Sequence, residues 1–430
     1  MNRLVIPYQL FDALAGGQGG SQAGRFLSAA ARDRHLILIK VVADTAASAE
    51  VSRSFDELAR MHVTAPEDVD ALLRYPAVGG WALATVGALR QGGGAREASQ
   101  LAVLAATAGI RAGLPFEARL SHQCESVMFP SLGAAVIGSE DCLIRVTSSN
   151  STVSSPRSRV GLPVDYARDA DGWLGLRRIV AEHPHGVLRL ALDDLDPYRF
   201  PAGPQLATRL TGAEVLEWQR LFQEAWTILC DSHASTADEI MSMLSAVTPL
   251  SRGGWAASGT SRTVFGCVAL ARPTCARTLA SALAHEVQHA KLTVLLYLVD
   301  LIKPDPEARY YAPWRRDPRP LSGLLHGTYA HLGVADFWRR QRQIDDSPMA
   351  HAEFARWREA AAKTARVIYE STALTPIGRR FVDGMLRRLH TFAEEEVPLS
   401  AVELARAAAA RHQRDFDAAS TRRPREGERA

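Results

Sequence analysis

The chain has 430 residues, of which 47% are hydrophobic and 23% charged, a composition that is ordinary for a globular protein of two or three domains. The formal net charge of +3 is too small to indicate binding to nucleic acid or to a membrane surface. No segment approaches about 18 consecutive apolar residues, the N-terminus lacks the pattern of a secretion signal, and the five cysteines are dispersed. These features predict a cytoplasmic protein with reduced thiols.

Residues 1–113 have the spacing of helices. Apolar side chains recur every three or four positions over residues 26–43 and 71–90, and residues 101–112 are rich in alanine. Glycine clusters at residues 16–20 and 92–94 separate these segments. No strand precedes either cluster and no Gly-Lys-Ser/Thr follows, so we predict flexible loops and not phosphate-binding loops.

Residues 114–203 form a second region, in which short runs of Val, Ile, Leu and Phe alternate with Gly, Pro, Asp and Ser. This pattern is typical of antiparallel strands. The predicted strands span residues 116–120, 126–129, 134–137, 142–146, 159–162, 173–179 and 186–192. The Ser/Thr-rich segment 147–158 is predicted to be an exposed loop.

Three carboxylates, Asp193, Asp194 and Asp196, stand at the exit of the predicted sheet, next to Pro197. We interpret them as part of a capped, solvated turn. A site for calcium or for a substrate amine is the alternative.

Residues 204–400 are predicted to be helical again, with helices at residues 214–230, 237–244, 321–343, 351–370 and 375–392. Residues 401–430 hold the end of a C-terminal helix and a tail that is predicted to be disordered after Ala410, where apolar content falls. The predicted fold class is therefore α+β. It is predominantly α-helical, with a central antiparallel β region and a zincin-like helix in the C-terminal part.

That helix carries His-Glu-x-x-His at residues 285–289, inside a run from residue 277 to residue 301 without Gly or Pro. Residues four apart share one helix face, about 5–6 Å between Cβ atoms, so His285 and His289 can bind one divalent ion. Glu286 can hold a metal-bound water or orient a ligand. The stripe that flanks the motif predicts a buried helix and comprises Leu279, Leu283, Val287, Ala290, Val294 and Leu298. We therefore favour a metal site over two ordinary core histidines.

Two histidines need at least a third ligand. Leu292 and Leu295 stand where the metzincin pattern requires Gly and His, and the next predicted helix has no Glu for the gluzincin pattern. His326 on that helix is the third ligand we favour, with His331 and Asp336 as alternatives. Its neighbour Gly327 indicates a tightly packed face.

Four segments, at residues 265–270, 283–292, 310–321 and 324–334, carry a resemblance to a known family. They resemble the actinobacterial HExxH peptide-modification proteins, the α-ketoglutarate-dependent HExxH-type peptide β-hydroxylases. The similarity extends upstream through residues 76–83 and 192–199, and so covers most of the chain. The resemblance implies Fe(II) and α-ketoglutarate as cofactors, O₂ as cosubstrate, and a ribosomally made precursor peptide as substrate.

Under this resemblance His285, His289 and His326 hold iron, and Glu286 orients a ligand or a metal-bound water. An arginine is needed for the distal carboxylate of α-ketoglutarate. The candidates are Arg315 and Arg319, in the loop before the His326 helix, and Arg262, shortly before the His-Glu-x-x-His helix. The alternative for each is an arginine that merely pins its loop to a helix terminus.

Extended peptides commonly bind by adding a strand to a sheet edge. We therefore expect the β region to hold the precursor peptide, with Asp193, Asp194 and Asp196 contributing to its binding.

Two other functions use the same motif. In a zinc metallopeptidase Glu286 would act as general base on a zinc-bound water. In a binding protein without catalysis the metal would be structural, and only the two histidines of the motif would matter.

Overall fold

A computed structural model describes residues 5–148, 150–200, 206–251, 258–304 and 307–421, except for the side chains of residues 122–124, 139, 420 and 421. The helices, in chain order, are α1 (Tyr8–Ala15), α2 (Gly20–Thr45), α3 (Ala49–Thr64), α4 (Pro66–Leu73), α5 (Pro76–Arg90), α6 (Ala95–Ala112), α7 (Gly212–Ser232), α8 (Ala234–Met243), α9 (Ala276–Leu298), α10 (Leu321–Gln341), α11 (Pro348–Tyr369), α12 (Pro376–Ala393) and α13 (Leu399–Thr421). None of the helices in the described part of the chain has the length and apolar content needed to cross a membrane.

The strands are β1 (Phe116–Phe129), β2 (Gly133–Val146), β3 (Ser151–Ser154), β4 (Arg159–Gly161), β5 (Trp173–Gly175), β6 (Arg178–His183), β7 (Gly186–Leu192), β8 (Ala246–Pro249), β9 (Ser258–Thr260) and β10 (Cys267–Leu270). The α+β class predicted from the sequence is confirmed at this level.

The chain divides into two compact units, each built from separate stretches of sequence. The first unit contains Met1–Leu27, Ala225–Ser242 and Ala276–Ala430. The second unit contains Ser28–Glu224 and Met243–Cys275. The His-Glu-x-x-His motif lies in the first unit, and both sheets lie in the second.

The first unit is a helical assembly around α10, which packs against both α9 and α11, while α12 and α13 pack against α11. The predicted stripe of α9 is buried at Leu279, Leu283, Val287, Ala290 and Val294. Burial of such a stripe, at about 1.5–3 kcal/mol per large apolar side chain, holds α9 against its neighbours.

Two helix starts in this unit are set by local sequence. Ser347 and Thr375 each precede a proline, and their side chains accept hydrogen bonds from the N–H groups of Ala350 (3.2 Å) and Gly378 (3.0 Å). A hydroxyl cap followed by proline is a strong helix start. The hydroxyl accepts a hydrogen bond from an otherwise unpaired backbone N–H of the first turn, and proline has no backbone N–H that would need a partner there.

The C-terminal helix α13 continues to Thr421, so the prediction of disorder after Ala410 is wrong for residues 411–421. Alanine and arginine in this stretch favour helix in spite of its low apolar content. Side chains beyond Ala410 also make contacts: the hydroxyl of Tyr311 lies 2.8 Å from His412 Nδ1, and the Tyr311 ring lies 4.8 Å from that of Phe416. Residues 422–430 lie outside the described residues.

The second unit holds two five-stranded sheets. One has the order β1-β2-β3-β4, with β5 paired to β2, and is antiparallel throughout. The other has the order β6-β7-β8-β10-β9. It is mixed, because β8 runs parallel to both β7 and β10.

Several predicted strands differ from the observed ones. Residues 116–129 form the single strand β1, with a register irregularity between Leu120 and Ser126 where the sequence predicts a break. Residues 173–179 divide between β5 and β6, which belong to different sheets. Strand β3 lies within the segment predicted to be a loop, because its Ser, Thr and Val residues alternate between buried and partly exposed positions.

Strands β8, β9 and β10 are missing from the sequence prediction, and β8 and β10 have a common physical reason. All four residues of each are buried, so neither shows the alternation that identifies a half-exposed strand.

Candidate metal centre

His285 and His289 face each other on α9, with 3.1 Å between their Nε2 atoms. Two nitrogens that each lie about 2.1 Å from one ion are separated by about 3.0–3.4 Å in octahedral or tetrahedral geometry. The observed separation therefore fits two ligands of a shared ion. Without an ion, the same separation fits a hydrogen bond in which one ring donates its N–H to the other.

The protonation of His285 suits a metal ligand. Burial lowers the pKa of His285 to about 4 from its usual 6.5. The ring is therefore neutral near pH 7 and has a nitrogen lone pair to offer. The side chain keeps 22% of its surface exposed, so an ion can reach it.

Glu286 lies beside this pair and is almost completely buried. Only 1% of its side chain is exposed, and its Oε1 atom lies 3.9 Å from His285 Nε2. A carboxylate at that distance from a ligand nitrogen can accept a hydrogen bond from a water or substrate group held at the same place.

Helix α10 brings two further histidines to the pair. The ring of His326 lies 5.8 Å from that of His289, and the ring of His331 lies 5.0 Å from that of His285. We call the row His326, His289, His285 and His331 the histidine cluster. Within the described residues, no three His, Cys, Asp or Glu side chains are already arranged to hold a metal ion. The third ligand therefore stays a prediction, with His326 as the imidazole next to His289.

His331 is held between two indole rings. Its ring stacks on Trp314 at 4.3 Å and packs against Trp357 at 4.5 Å. Its Nδ1 lies 2.8 Å from the carbonyl oxygen of Gly327, so this nitrogen carries the proton and donates it. Burial, with a smaller contribution from His285, holds the pKa of His331 well below 6.5. The His331 ring is thus neutral and held in one orientation at the end of the histidine cluster.

Gly327 is required by the position of Trp314. A Cβ atom at residue 327 would lie 2.4 Å from Trp314 Nε1, closer than any side chain tolerates. The tightly packed face predicted around Gly327 is observed. The lack of a side chain at Gly327 lets Trp314 stack on His331, and this stacking joins the Trp314 loop to the histidine cluster.

Asp336, the remaining alternative for the third ligand, already has cationic partners. Its carboxylate accepts hydrogen bonds from Arg339 Nε at 2.9 Å and from Arg388 Nη2 at 3.0 Å. A carboxylate held by two guanidinium groups is a poor candidate for a metal ligand.

The three candidate arginines lie in different surroundings. Arg315 and Arg319 both bind Asp317, at 3.0 and 3.1 Å, and their side chains are 51% and 36% exposed. Arg262 is exposed in the second unit. A role for any of them in binding α-ketoglutarate stays a prediction.

Sequence reasoning missed an arginine whose charge acts on the cluster. Arg356 Cζ lies 4.4 Å from the Trp357 ring centroid, and the positive charge of Arg356 contributes to lowering the pKa of His331. No local motif marks these two residues, because packing of α11 against α10 brings them to the site.

Sequence reasoning also missed a buried ion pair on the motif helix. Lys291 Nζ donates to both oxygens of Glu239, at 2.8 and 2.9 Å, and to the carbonyl oxygen of Gly17 at 2.9 Å. Gln288 Nε2 donates to the same carbonyl at 2.9 Å, and the Gly20 N–H donates to Glu239. The first glycine cluster, predicted to be a flexible loop, is therefore pinned at both ends. The sequence feature that could have indicated this ion pair is Lys291 itself, a lysine within the otherwise apolar run of α9.

The acidic turn in the second unit is not solvated, contrary to the prediction. Asp193 and Asp194 are 1% and 5% exposed. Asp193 accepts a hydrogen bond from the Tyr75 hydroxyl at 2.5 Å, and Asp194 binds Arg177 and Arg209, each at 2.7 Å. Both carboxylates have partners within the chain. The turn that carries them directly follows β7, which lies between β6 and β8 and not at an edge of its sheet.

No protein-family model matches the chain, and no curated protein matches it. The donor set itself is compatible with a metal. Neutral imidazoles with a nearby carboxylate suit divalent first-row transition ions, and both Fe(II) and Zn(II) accept imidazole.

Proposed function

We propose that this protein is an Fe(II)- and α-ketoglutarate-dependent oxygenase that hydroxylates the β-carbon of a residue in a ribosomally synthesised precursor peptide. The observation that carries the proposal is the 3.1 Å separation of the His285 and His289 Nε2 atoms, with His326 next in the same row. The resemblance of the sequence to HExxH-type peptide β-hydroxylases supports the cosubstrate and the peptide.

His285, His289 and His326 would hold the iron. When bound, the iron supplies open positions for a 2-oxo acid and O₂, and with them the oxidising power for C–H hydroxylation. Glu286 would orient a ligand or a water from its buried position. His331, fixed between Trp314 and Trp357, would exclude water from its side of the cluster.

A cation is needed for the distal carboxylate of α-ketoglutarate. Arg315 and Arg319 are candidates because their loop reaches the cluster through Trp314, and Arg262 is a candidate from sequence alone. Arg356 joins them, since its charge already acts on His331.

The antiparallel sheet offers a place for the peptide. Strand β1 is an outer strand of that sheet among the described residues, as is β4, and strand addition at such an edge is a common way to bind an extended chain. A groove lined by α3 and the first half of β1 runs beside it, and Arg53, Arg60 and Glu117 supply charged groups along it.

A zinc metallopeptidase is the second candidate. A buried carboxylate 3.9 Å from His285 Nε2 would also suit a general base acting on a zinc-bound water. Against it, the described part of α10 contains no Glu to serve as third ligand, and its Asp336 is paired with arginines.

The test combines cosubstrate turnover with mass spectrometry of a precursor peptide that is co-expressed with the protein. We expect succinate to form from α-ketoglutarate only with Fe(II) and O₂, and the peptide to gain one oxygen atom. His289→Gln should abolish both, while His390→Gln, an exposed histidine on α12, should abolish neither. A peptide left unmodified with iron, cosubstrate and O₂ all present contradicts the proposal. A peptide cleaved in a zinc-dependent reaction supports the peptidase instead.

A further inference from the structure

A cavity of about 350 Å³ opens in the second unit beside the turn that follows β7. Small-molecule sites commonly have volumes of about 300–1,000 Å³ and combine apolar walls with a few polar groups. The apolar wall includes Trp81, Leu104 and Met128, and the polar and charged groups are Arg96, Glu97, Gln100, Asp196 and Tyr198, together with Ser126. This composition is that of a ligand site, and the proposed hydroxylation does not use it.

Three charged residues line the cavity, Arg96, Glu97 and Asp196, and of these Asp196 is the one whose side chain is buried, whereas Arg96 is exposed. Asp196 is 2% exposed, and its Oδ1 accepts a hydrogen bond from the Tyr198 N–H at 2.8 Å. Arg199 donates to the backbone carbonyl of Asp196 at 2.7 Å, and among the described residues no Lys or Arg forms an ion pair with the Asp196 carboxyl. The buried Asp196 residue therefore lines the cavity without an ion-pair partner.

Burial of the Asp196 carboxyl without an ion-pair partner disfavours its ionised form. Burial, together with the negative charge of Asp193, raises the pKa of Asp196 to about 8. The positive charge of Arg199 offsets only part of this rise. A buried acid that forms no ion pair is stabilised by a ligand that supplies a cation. By contrast, Asp194 on the same turn has two arginine partners within the chain.

The aromatic lining points to the same kind of ligand. The Trp81 indole is fixed by a hydrogen bond from its Nε1 to the Glu97 carbonyl at 2.8 Å, and burial raises the pKa of the Tyr198 phenol, which stays neutral. Faces of Trp and Tyr attract organic cations, and such contacts are strongest when the cation is desolvated. Met128 and Leu104 provide surface for an apolar body attached to the cation.

We propose that this cavity binds a ligand with a primary ammonium group on an apolar body. The ammonium donates to the Asp196 carboxylate, and the apolar body lies against Trp81 and Met128. The site would work without the metal centre, since every residue invoked belongs to the second unit. A failure of this proposal therefore leaves the proposed function untouched, and the reverse also holds.

The test uses benzylamine as the probe and benzyl alcohol as its neutral analogue, with binding to the full chain measured by isothermal titration calorimetry. At about pH 8.5, where a carboxyl with a pKa of about 8 is mostly ionised, we expect benzylamine to bind at least about tenfold more tightly than benzyl alcohol, because one hydrogen bond to a charged group is worth about 1.5–3 kcal/mol. Asp196→Asn should remove that advantage. Asp171→Asn, at an exposed acid of the same unit, should keep it.

Calorimetry can also detect the proton that the Asp196 carboxyl loses when an ammonium group binds. Asp196 must ionise to accept an ammonium, so binding at pH 7 should release a proton, and the measured heat should differ between phosphate and MOPS buffers, neither of which contains a primary ammonium group. The other titratable and charged groups near this carboxyl or its neighbour Tyr198 are Asp193, Arg199, Glu97 and Arg96.

Two outcomes overturn the proposal: equal affinities for benzylamine and benzyl alcohol, or unchanged benzylamine binding in Asp196→Asn. Should Asp196→Asn fail to fold, Gln100→Trp takes its place, because a larger side chain on the cavity wall fills the space without touching the acid. Benzylamine binding that survives this change also overturns the proposal.

Discussion

Lys291 Nζ and the Glu239 carboxylate form a buried ion pair, with 2.8 and 2.9 Å from the nitrogen to the two oxygens. The two side chains are 0% and 2% exposed. The pair joins α9 to α8, and its further hydrogen bonds to Gly17 and Gly20 join both helices to the loop between α1 and α2. Because Lys291 shortly follows His289 on α9, this contact fixes the rotation of the helix that presents the histidine pair.

Removing one partner of this pair should destabilise the protein strongly. Lys291→Met leaves the Glu239 carboxylate buried without its cation, and broken buried pairs cost about 3–5 kcal/mol. The free energy of unfolding in urea is the measurement. Lys40→Met is the matched control: Lys40 and Asp44 are exposed, and such surface pairs contribute about 0–1 kcal/mol. Equal losses in the two variants would contradict the anchoring role.

Gly327→Ala should displace Trp314 from His331. The added Cβ would lie 2.4 Å from the indole nitrogen, and overpacking of this kind costs about 1–3 kcal/mol. We expect lower stability together with a change in tryptophan fluorescence. Gly87→Ala, in a helix where an added Cβ meets nothing within 4 Å, should instead stabilise by up to about 1 kcal/mol. A Gly327→Ala variant as stable as wild type, with unchanged fluorescence, would mean that the indole has room to move.

His326 and His331 can be distinguished by their metal affinities. His326→Gln should lower Fe(II) affinity more than about 100-fold if His326 is a ligand, whereas a supporting residue such as His331 should cost only about 10–100-fold. Competition with a chromophoric chelator measures both. A larger loss of Fe(II) affinity in His331→Gln than in His326→Gln would reverse the assignment. His331, whose ring centroid lies 5.0 Å from that of His285, would then be the third ligand.

The pH dependence of stability should carry the signature of Asp196. Its folded pKa of about 8 lies above its usual 3.8, so the stabilisation is complete below about pH 4 and is lost as the pH rises toward 8. Asp196→Asn removes this contribution while leaving the other titrating groups in place, so the free energy of unfolding of the wild type relative to that of Asp196→Asn should fall between about pH 5 and about pH 8. Parallel curves for the two proteins would show that the carboxyl titrates normally in the folded state.

Features of the fold that depend on residues close together in sequence could be predicted from the sequence. The helix of His285 and His289 follows from apolar periodicity, and the tight face at Gly327 follows from a glycine beside leucines on the next helix. Packing partners that are distant in sequence do not follow in this way. Trp357 reaches His331, and Glu239 reaches Lys291, only because helices separated along the chain pack together.

The β region shows the same limit. Asp193 and Asp194 have the composition of a solvated turn, yet they are buried because β7 pairs with β8, a strand contributed by a distant part of the chain. A four-residue strand buried on both faces, as β8 is, leaves no alternation in the sequence to predict it.

Anaerobic titration with Fe(II) followed by α-ketoglutarate shows directly whether His285 and His289 bind a catalytic iron. The wild type should bind a single ferrous ion and then develop a visible metal-to-ligand charge-transfer band when α-ketoglutarate is added. His285→Gln and His289→Gln should lose both responses, and His390→Gln should keep both. Unchanged iron binding in His285→Gln and His289→Gln would contradict the assignment of these histidines as ligands. The lack of a charge-transfer band in the iron-loaded wild type would contradict the proposed use of α-ketoglutarate.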